Sequence, residues 1–298
     1  MLMIFILLFG GLSLHFFAAL PAHLPPDLGS EEAERRAWLQ LWAPFLPTLF
    51  IVAWLCGWTA IEPDPLPWPL DHTILVFLSL PFLLVAARAT YRAILALFLD
   101  SPELLICTAG FLRPRIVFSP FFARKLDNAQ IQAAWAHEQA HAQHYDPLRI
   151  WLAQLVTDLQ WPWPAALHRL RVWLAALECA RDAEACRTGV AGEDLAAAIL
   201  ETLQESGSAK GSQTAYPMGI SPALISDGKL LQLRIERLLQ PQALSEEKSR
   251  RRVPRRESTL LLLLALPFSI SMLLGALYGQ TLLEPLLNMT WSEFWALL

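Results

Sequence analysis

Charge is what this sequence has least of. Only 17% of its 298 residues are Asp, Glu, Lys or Arg, while 55% are hydrophobic, and the mean hydropathy is +0.38. A soluble domain carries about a quarter charged residues, so this is the composition of a membrane protein. A basic excess is missing too. The 23 Lys and Arg stand against 27 Asp and Glu, and direct nucleic-acid binding is not expected. Cysteine is sparse: Cys56, Cys107, Cys179 and Cys186 form no Cys-x-x-Cys pair. That excludes a disulfide scaffold, suits a reducing compartment, and reads as small buried hydrophobes. No repeat recurs at solenoid or propeller periods.

Long apolar runs are what the chain has instead. Spanning a bilayer core takes about 20 mostly apolar residues, and four runs qualify, over residues 1–20, about 39–60, about 72–99 and 259–279. The first has no Lys or Arg before Arg35, so it lacks the positive start of a cleaved signal peptide and reads as a span. Of the 50 formal charges, 12 precede residue 101 and 2 follow residue 258. The central block therefore faces water and is large enough for a core of its own.

Lys and Arg flank spans on the cytoplasmic side. Arg35 and Arg36, Arg88 and Arg92, and the basic run 248–256 mark three such flanks, whereas the loop 61–71 holds only acids. The consistent solution is a multi-pass inner (plasma) membrane protein with its N-terminus outside and the central block cytoplasmic. Three spans with short loops occupy 1–100, the cytoplasmic domain 101–257, and a fourth span with a short external tail 258–298.

Within the block, the runs 104–107 and 115–119 read as a hairpin about Ala109-Gly110. Asp127 with Gln130 forms a capping box that opens a helix over about 128–145. Asp146-Pro147 reads as the next helix start, with Asp as the N-cap. Further helices are expected over about 166–187, 193–204 and 229–239, with a mobile linker at 205–228.

The capped helix contains His137-Glu138-Gln139-Ala140-His141. Residues four apart share a helix face, so both imidazoles can reach one zinc ion, and the glutamate beside them can move a proton between a water the metal acidifies and a leaving amine. A catalytic zinc takes three protein ligands and keeps an open position. Glu178 is the candidate third ligand. It begins Glu178-Cys-Ala-Arg-Asp182 on a later helix, where Asp182, one turn on, can orient an imidazole. Glu184 is the rival acid. His144 lies about 10.5 Å of helix rise from His137, too far to share the metal, and reads as a cation at the helix end. Tyr145 is a candidate transition-state stabiliser by adjacency alone. The 115–119 strand is a candidate edge for an extended substrate.

Taken in order, Arg-Pro-Arg-Ile-Val-Phe-Ser-Pro (113–120), His-Glu-Gln-Ala-His-Ala-Gln-His-Tyr-Asp-Pro-Leu (137–148), Glu-Cys-Ala-Arg-Asp (178–182) and Leu-Arg-Ile-Glu-Arg-Leu-Leu (233–239) resemble the BlaR/MecR-type antirepressor metallopeptidases, as does the order of three spans before the block and one after. The resemblance implies a mainly α, polytopic membrane protein with four transmembrane helices and a gluzincin-like α+β zinc peptidase domain in the cytoplasm. It implies one Zn²⁺ on His137, His141 and Glu178, with Glu138 catalytic. The implied partner is a protein substrate, a DNA-binding repressor or the chain itself. About 19 residues follow the fourth span, too few for the family's penicillin-binding sensor domain, so β-lactam sensing by this polypeptide is not expected. An HtpX-type membrane peptidase and a non-catalytic scaffold with a structural metal stay open as alternatives.

Overall fold

The computed structural model describes residues 9–20, 31–61, 72–98, 106–208, 228–240, 266–278 and 281. The described chain is mainly helical and divides into two compact units, one of residues 1–20, 42–83 and 252–298, the other of 21–41 and 84–251.

In the first unit, helix α1 (Gly11–Ala18) lies against an apolar helix that follows helix α2 (Glu31–Trp42) and is called α3 (Phe45–Ile61). Thr48 Oγ1 donates to the Gly10 carbonyl at 2.9 Å. Chain order continues with α4 (His72–Phe98), which has Pro81 within it. The last helix described in this unit covers Leu266–Tyr278. It meets α3 backbone to backbone: a Cβ on Gly57 would lie 1.8 Å from the Met272 carbonyl oxygen, and one on Gly275 would lie 1.9 Å from that of Trp54. Such crossings through small residues are how helices approach in apolar surroundings.

The apolar run expected over about 39–60 is two helices. α2 ends and α3 begins on either side of Ala43-Pro44, where the proline has no N–H to donate and its ring clashes with the preceding turn. The expected third run is helical over His72–Phe98, and the fourth over Leu266–Tyr278. The loop 62–71, the linker 209–227 and the basic run 248–256 lie outside the described residues. Among the described residues no single helix is long and apolar enough to cross a membrane; α2 with α3 passes only as the bent pair.

The second unit holds the motifs. Strands β1 (Ile106–Ala109) and β2 (Arg115–Phe118) pair antiparallel, with Thr108 opposite Ile116. Gly110 turns the hairpin at φ +95°. A short helix α5 (Pro120–Ala123) leads to α6 (Asn128–Gln143), α7 (Asp146–Leu159), α8 (Pro164–Arg187), α9 (Gly192–Ser208) and α10 (Gly228–Leu238); the helix Leu266–Tyr278 is then α11.

The capping box is formed as expected: Asp127 Oδ1 accepts from the Gln130 N–H at 2.8 Å, and Gln130 Oε1 from the Asp127 N–H at 3.2 Å. α6 lies among the hairpin, α8 and α9. Ala133, Ala185, Leu195, Ala196 and Leu238 join α6, α8, α9 and α10 in one buried cluster. The small side chains let the helices close on α6, which fixes the face that carries the histidines.

One helix start differs from expectation. Tyr145, at φ +54°, is the N-cap of α7, and Asp146 is inside the helix. The Asp146 side chain does not cap the helix because it is fully buried and turned toward His141, Arg149 and Arg181.

Candidate metal centre

α6 presents His137 and His141 on its buried face, and α8 brings Glu178 to them across the core. One donor atom from each of the three lies within 4.8 Å of the others. The two Nε2 atoms are 3.1 Å apart; His137 Nε2 is 3.6 Å from Glu178 Oε2, and His141 Nε2 is 3.7 Å from Glu178 Oε1.

Each imidazole has a carboxylate behind it. His141 Nδ1 is 2.9 Å from Asp146 Oδ2 in a hydrogen bond. His137 Nδ1 is also 2.9 Å from Asp182 Oδ1, but this contact is bent, and the ring nitrogen has no in-line acceptor. Carboxylates on Nδ1 assign the ring protons there and leave both Nε2 lone pairs facing inward.

Two facing lone pairs and a carboxylate oxygen repel one another unless a cation or a proton sits among them. The edges of the triangle suit a tetrahedral ion with bonds of about 2.0–2.1 Å, whose ligands stand about 3.3 Å apart. The residues therefore fit a small divalent metal held by two imidazoles and one carboxylate.

The electrostatics favour a cation. Burial opposes the charged form of His137, yet the Asp182 and Glu178 carboxylates outweigh it and push its pKa up to about 10. Burial likewise opposes ionisation of Glu178, and the Arg234 guanidinium with the two imidazoles holds its carboxyl well below the usual range. Arg234 from α10 closes the cluster with Nη1 2.9 Å from Glu178 Oε2 and a two-pronged grip on Asp182, at 2.7 Å and 2.8 Å. Without it two buried carboxylates would repel across one helix turn.

Glu138, next to His137 on α6, is held by the hairpin. Thr108 Oγ1 is 2.7 Å from Glu138 Oε2 and 2.8 Å from the Glu138 backbone carbonyl oxygen. The cysteines supply no donor to the cluster. Cys107, Cys179 and Cys186 are free thiols, and burial pushes the Cys107 and Cys179 thiols up to about 12.

The model of the family described as BlaR1 peptidase M56 matches residues 95–222. Over that stretch the chain is similar to the BlaR1 peptidase family. No curated protein and no solved structure matches it. The match covers the hairpin, the histidine helix and Glu178 and ends before Arg234.

The remaining sequence candidates have defined places. Asp182 lies behind His137. Glu184 is not in the triad; it pairs with His144 at 2.9 Å and with Arg181 at 3.2 Å. Tyr145 is half exposed, and its carbonyl accepts from the N–H groups of Leu148 and Arg149 at the start of α7. β2 pairs with β1, and Val117 on it is exposed.

Sequence reasoning missed Asp146, Thr108 and Arg234. The one visible signal was Arg234 inside Leu-Arg-Ile-Glu-Arg-Leu-Leu, a basic residue on the buried side of an amphipathic helix.

Proposed function

We propose that the chain is a membrane-embedded zinc endopeptidase that cuts a cytoplasmic or membrane-adjacent protein, a transcriptional repressor or itself, in signal transduction. The observation that carries this is the convergence of His137, His141 and Glu178, each donor within 4.8 Å of the others, with a carboxylate behind each imidazole.

Zinc bound there supplies Lewis acidity to a water and to the scissile carbonyl. Glu138 accepts the proton of the attacking water and passes it to the leaving amine, and the Thr108 hydroxyl keeps its carboxylate from swinging away. Asp146 and Asp182 fix the ring orientations. An extended substrate segment joins the hairpin along the free edge of β2 as an added strand. Tyr145 is retained as the candidate stabiliser of the oxyanion. The described cluster has three protein donors, the number that leaves a catalytic position open, whereas a structural zinc site is closed by four. This favours the enzyme over a scaffold.

Membrane embedding is supported by the exposed apolar faces of α4, with Val76, Phe77, Leu83 and Leu84, and of α11, with Leu266, Leu273 and Leu277. The basic flanks set the orientation, N-terminus outside and peptidase in the cytoplasm. Metal analysis of the full chain purified in detergent tests the site: about one zinc per wild-type chain is expected, and none in His137→Ala/His141→Ala. Equal zinc in both would refute the ligand assignment.

A further inference from the structure

A chain of charges runs from the metal-facing histidine to a helix that lies outside the family match, far earlier in the sequence. His141 Nδ1 meets Asp146 Oδ2 at 2.9 Å, and Arg149 Nη1 donates to Asp146 Oδ1 at 3.0 Å. The other arm of the same guanidinium, Nη2, donates to Glu34 Oε1 on α2. Glu34 is only 8% exposed and also accepts from Trp173 Nε1 at 2.9 Å. The guanidinium carbon of Arg149 lies 4.9 Å from the Trp38 ring and 5.6 Å from the Trp173 ring. α2 therefore supplies two parts of the cage around Arg149, an acid and an aromatic face.

Arg149 has two carboxylates to choose between, and the position of one sets its pull on the other. With Glu34 in place, the guanidinium is shared, and Asp146 is free to hold its hydrogen bond with His141 Nδ1. With that charge removed, Arg149 belongs to Asp146 alone, in addition to Arg181, whose Nε is 2.5 Å from Asp146 Oδ2. Two guanidiniums on one carboxylate weaken its hold on the imidazole.

We infer that Glu34 is a positioning residue for His141, acting through Arg149 and Asp146, so that the seating of α2 sets how well the site holds its metal. The inference rests on the metal-site reading above. It also gives the helix entering the apolar segment after Pro44 a direct electrostatic line to the centre.

The test uses the full chain in detergent and zinc affinity measured by competition with a chromophoric chelator. Glu34→Gln keeps the size and removes the charge; about a five- to tenfold loss of zinc affinity is expected, below the 10- to 100-fold typical of direct partners of ligands. Arg149→Lys, which keeps the charge but puts one nitrogen in place of the two arms that reach Asp146 and Glu34, is the second variant, with a loss of the same order. Glu31→Gln is the control on the same helix, since Glu31 pairs with Arg187 instead, and its affinity should stay within twofold of wild type. Thermal unfolding with and without zinc separates a general packing defect, which lowers both midpoints equally, from positioning, which shrinks the zinc-induced rise. Unchanged affinity in Glu34→Gln, or in Arg149→Lys should the first variant not fold, overturns the inference. If wild type binds no zinc, the metal-site reading itself fails.

Discussion

Asp146 Oδ2 stands 2.9 Å from His141 Nδ1 and 2.5 Å from Arg181 Nε, with none of its own surface exposed. It joins a metal-facing imidazole to the cation that keeps its own charge tolerable in the core. Asp146→Asn should lower zinc affinity by about 10- to 100-fold. It should also destabilise the chain by up to about 3–5 kcal/mol, because buried Arg181 keeps only Glu184, at 3.2 Å, as countercharge. Chelator competition and thermal unfolding read the two effects separately.

Arg234 balances Glu178 and Asp182 from the far side. In Arg234→Met two buried carboxylates lose their countercharge, and the metal-free chain should unfold at a clearly lower temperature. Zinc brings positive charge back to the same cluster, so the metal-loaded variant should recover most of the difference. A loss equal with and without zinc would contradict this arrangement.

Zinc binding should weaken as pH falls. His137 has its pKa raised to about 10 by Asp182 and Glu178 against the cost of burial, so in the metal-free chain the metal must displace a proton from it. From this ring affinity should drop up to about tenfold per pH unit below pH ~10. The stability sign follows from the raised value: for the metal-free chain the contribution is fully present below the unfolded value near ~6.5 and is lost as pH rises through about 10. The zinc-bound chain, with no proton to lose there, should not show that decline. Unfolding midpoints from pH 6 to 10 with and without zinc check both statements.

The crossing of α3 with α11 allows no side chain at two points. Gly57→Ala and Gly275→Ala each place a Cβ under 2 Å from backbone oxygen, and each should lower the unfolding temperature in detergent. Gly10→Ala, whose Cβ would meet side-chain methyls alone, that of Thr48 at 3.2 Å and one of Val52 at 3.8 Å, should be mild.

Local patterns were legible where the chemistry is local. The capping box, the His137/His141 spacing and the one-turn spacing of Glu178 and Asp182 follow from helix geometry, and the structure brings these residues together. Asp146 was misread because Asp-Pro satisfies a capping rule that is blind to burial; the decisive partners, Arg149 and Arg181, come from α7 and α8 after folding. Arg234 sits 52 residues beyond Asp182, and no helical period connects them. Nothing local in the sequence marks Glu34, whose partner Arg149 lies 115 residues on. The break within the apolar run over 39–60 was not legible for a different reason: hydropathy averages across Pro44, which interrupts the helix.

The central claim is that His137, His141 and Glu178 hold a zinc ion beside Glu138 as a peptidase centre. Its most direct test compares wild type with Glu138→Gln in membranes, measuring zinc per chain and proteolysis of a co-expressed repressor. The account predicts about one zinc in both and cleavage only by the wild type. Full cleavage by Glu138→Gln, or a wild type that cuts without zinc, would contradict it.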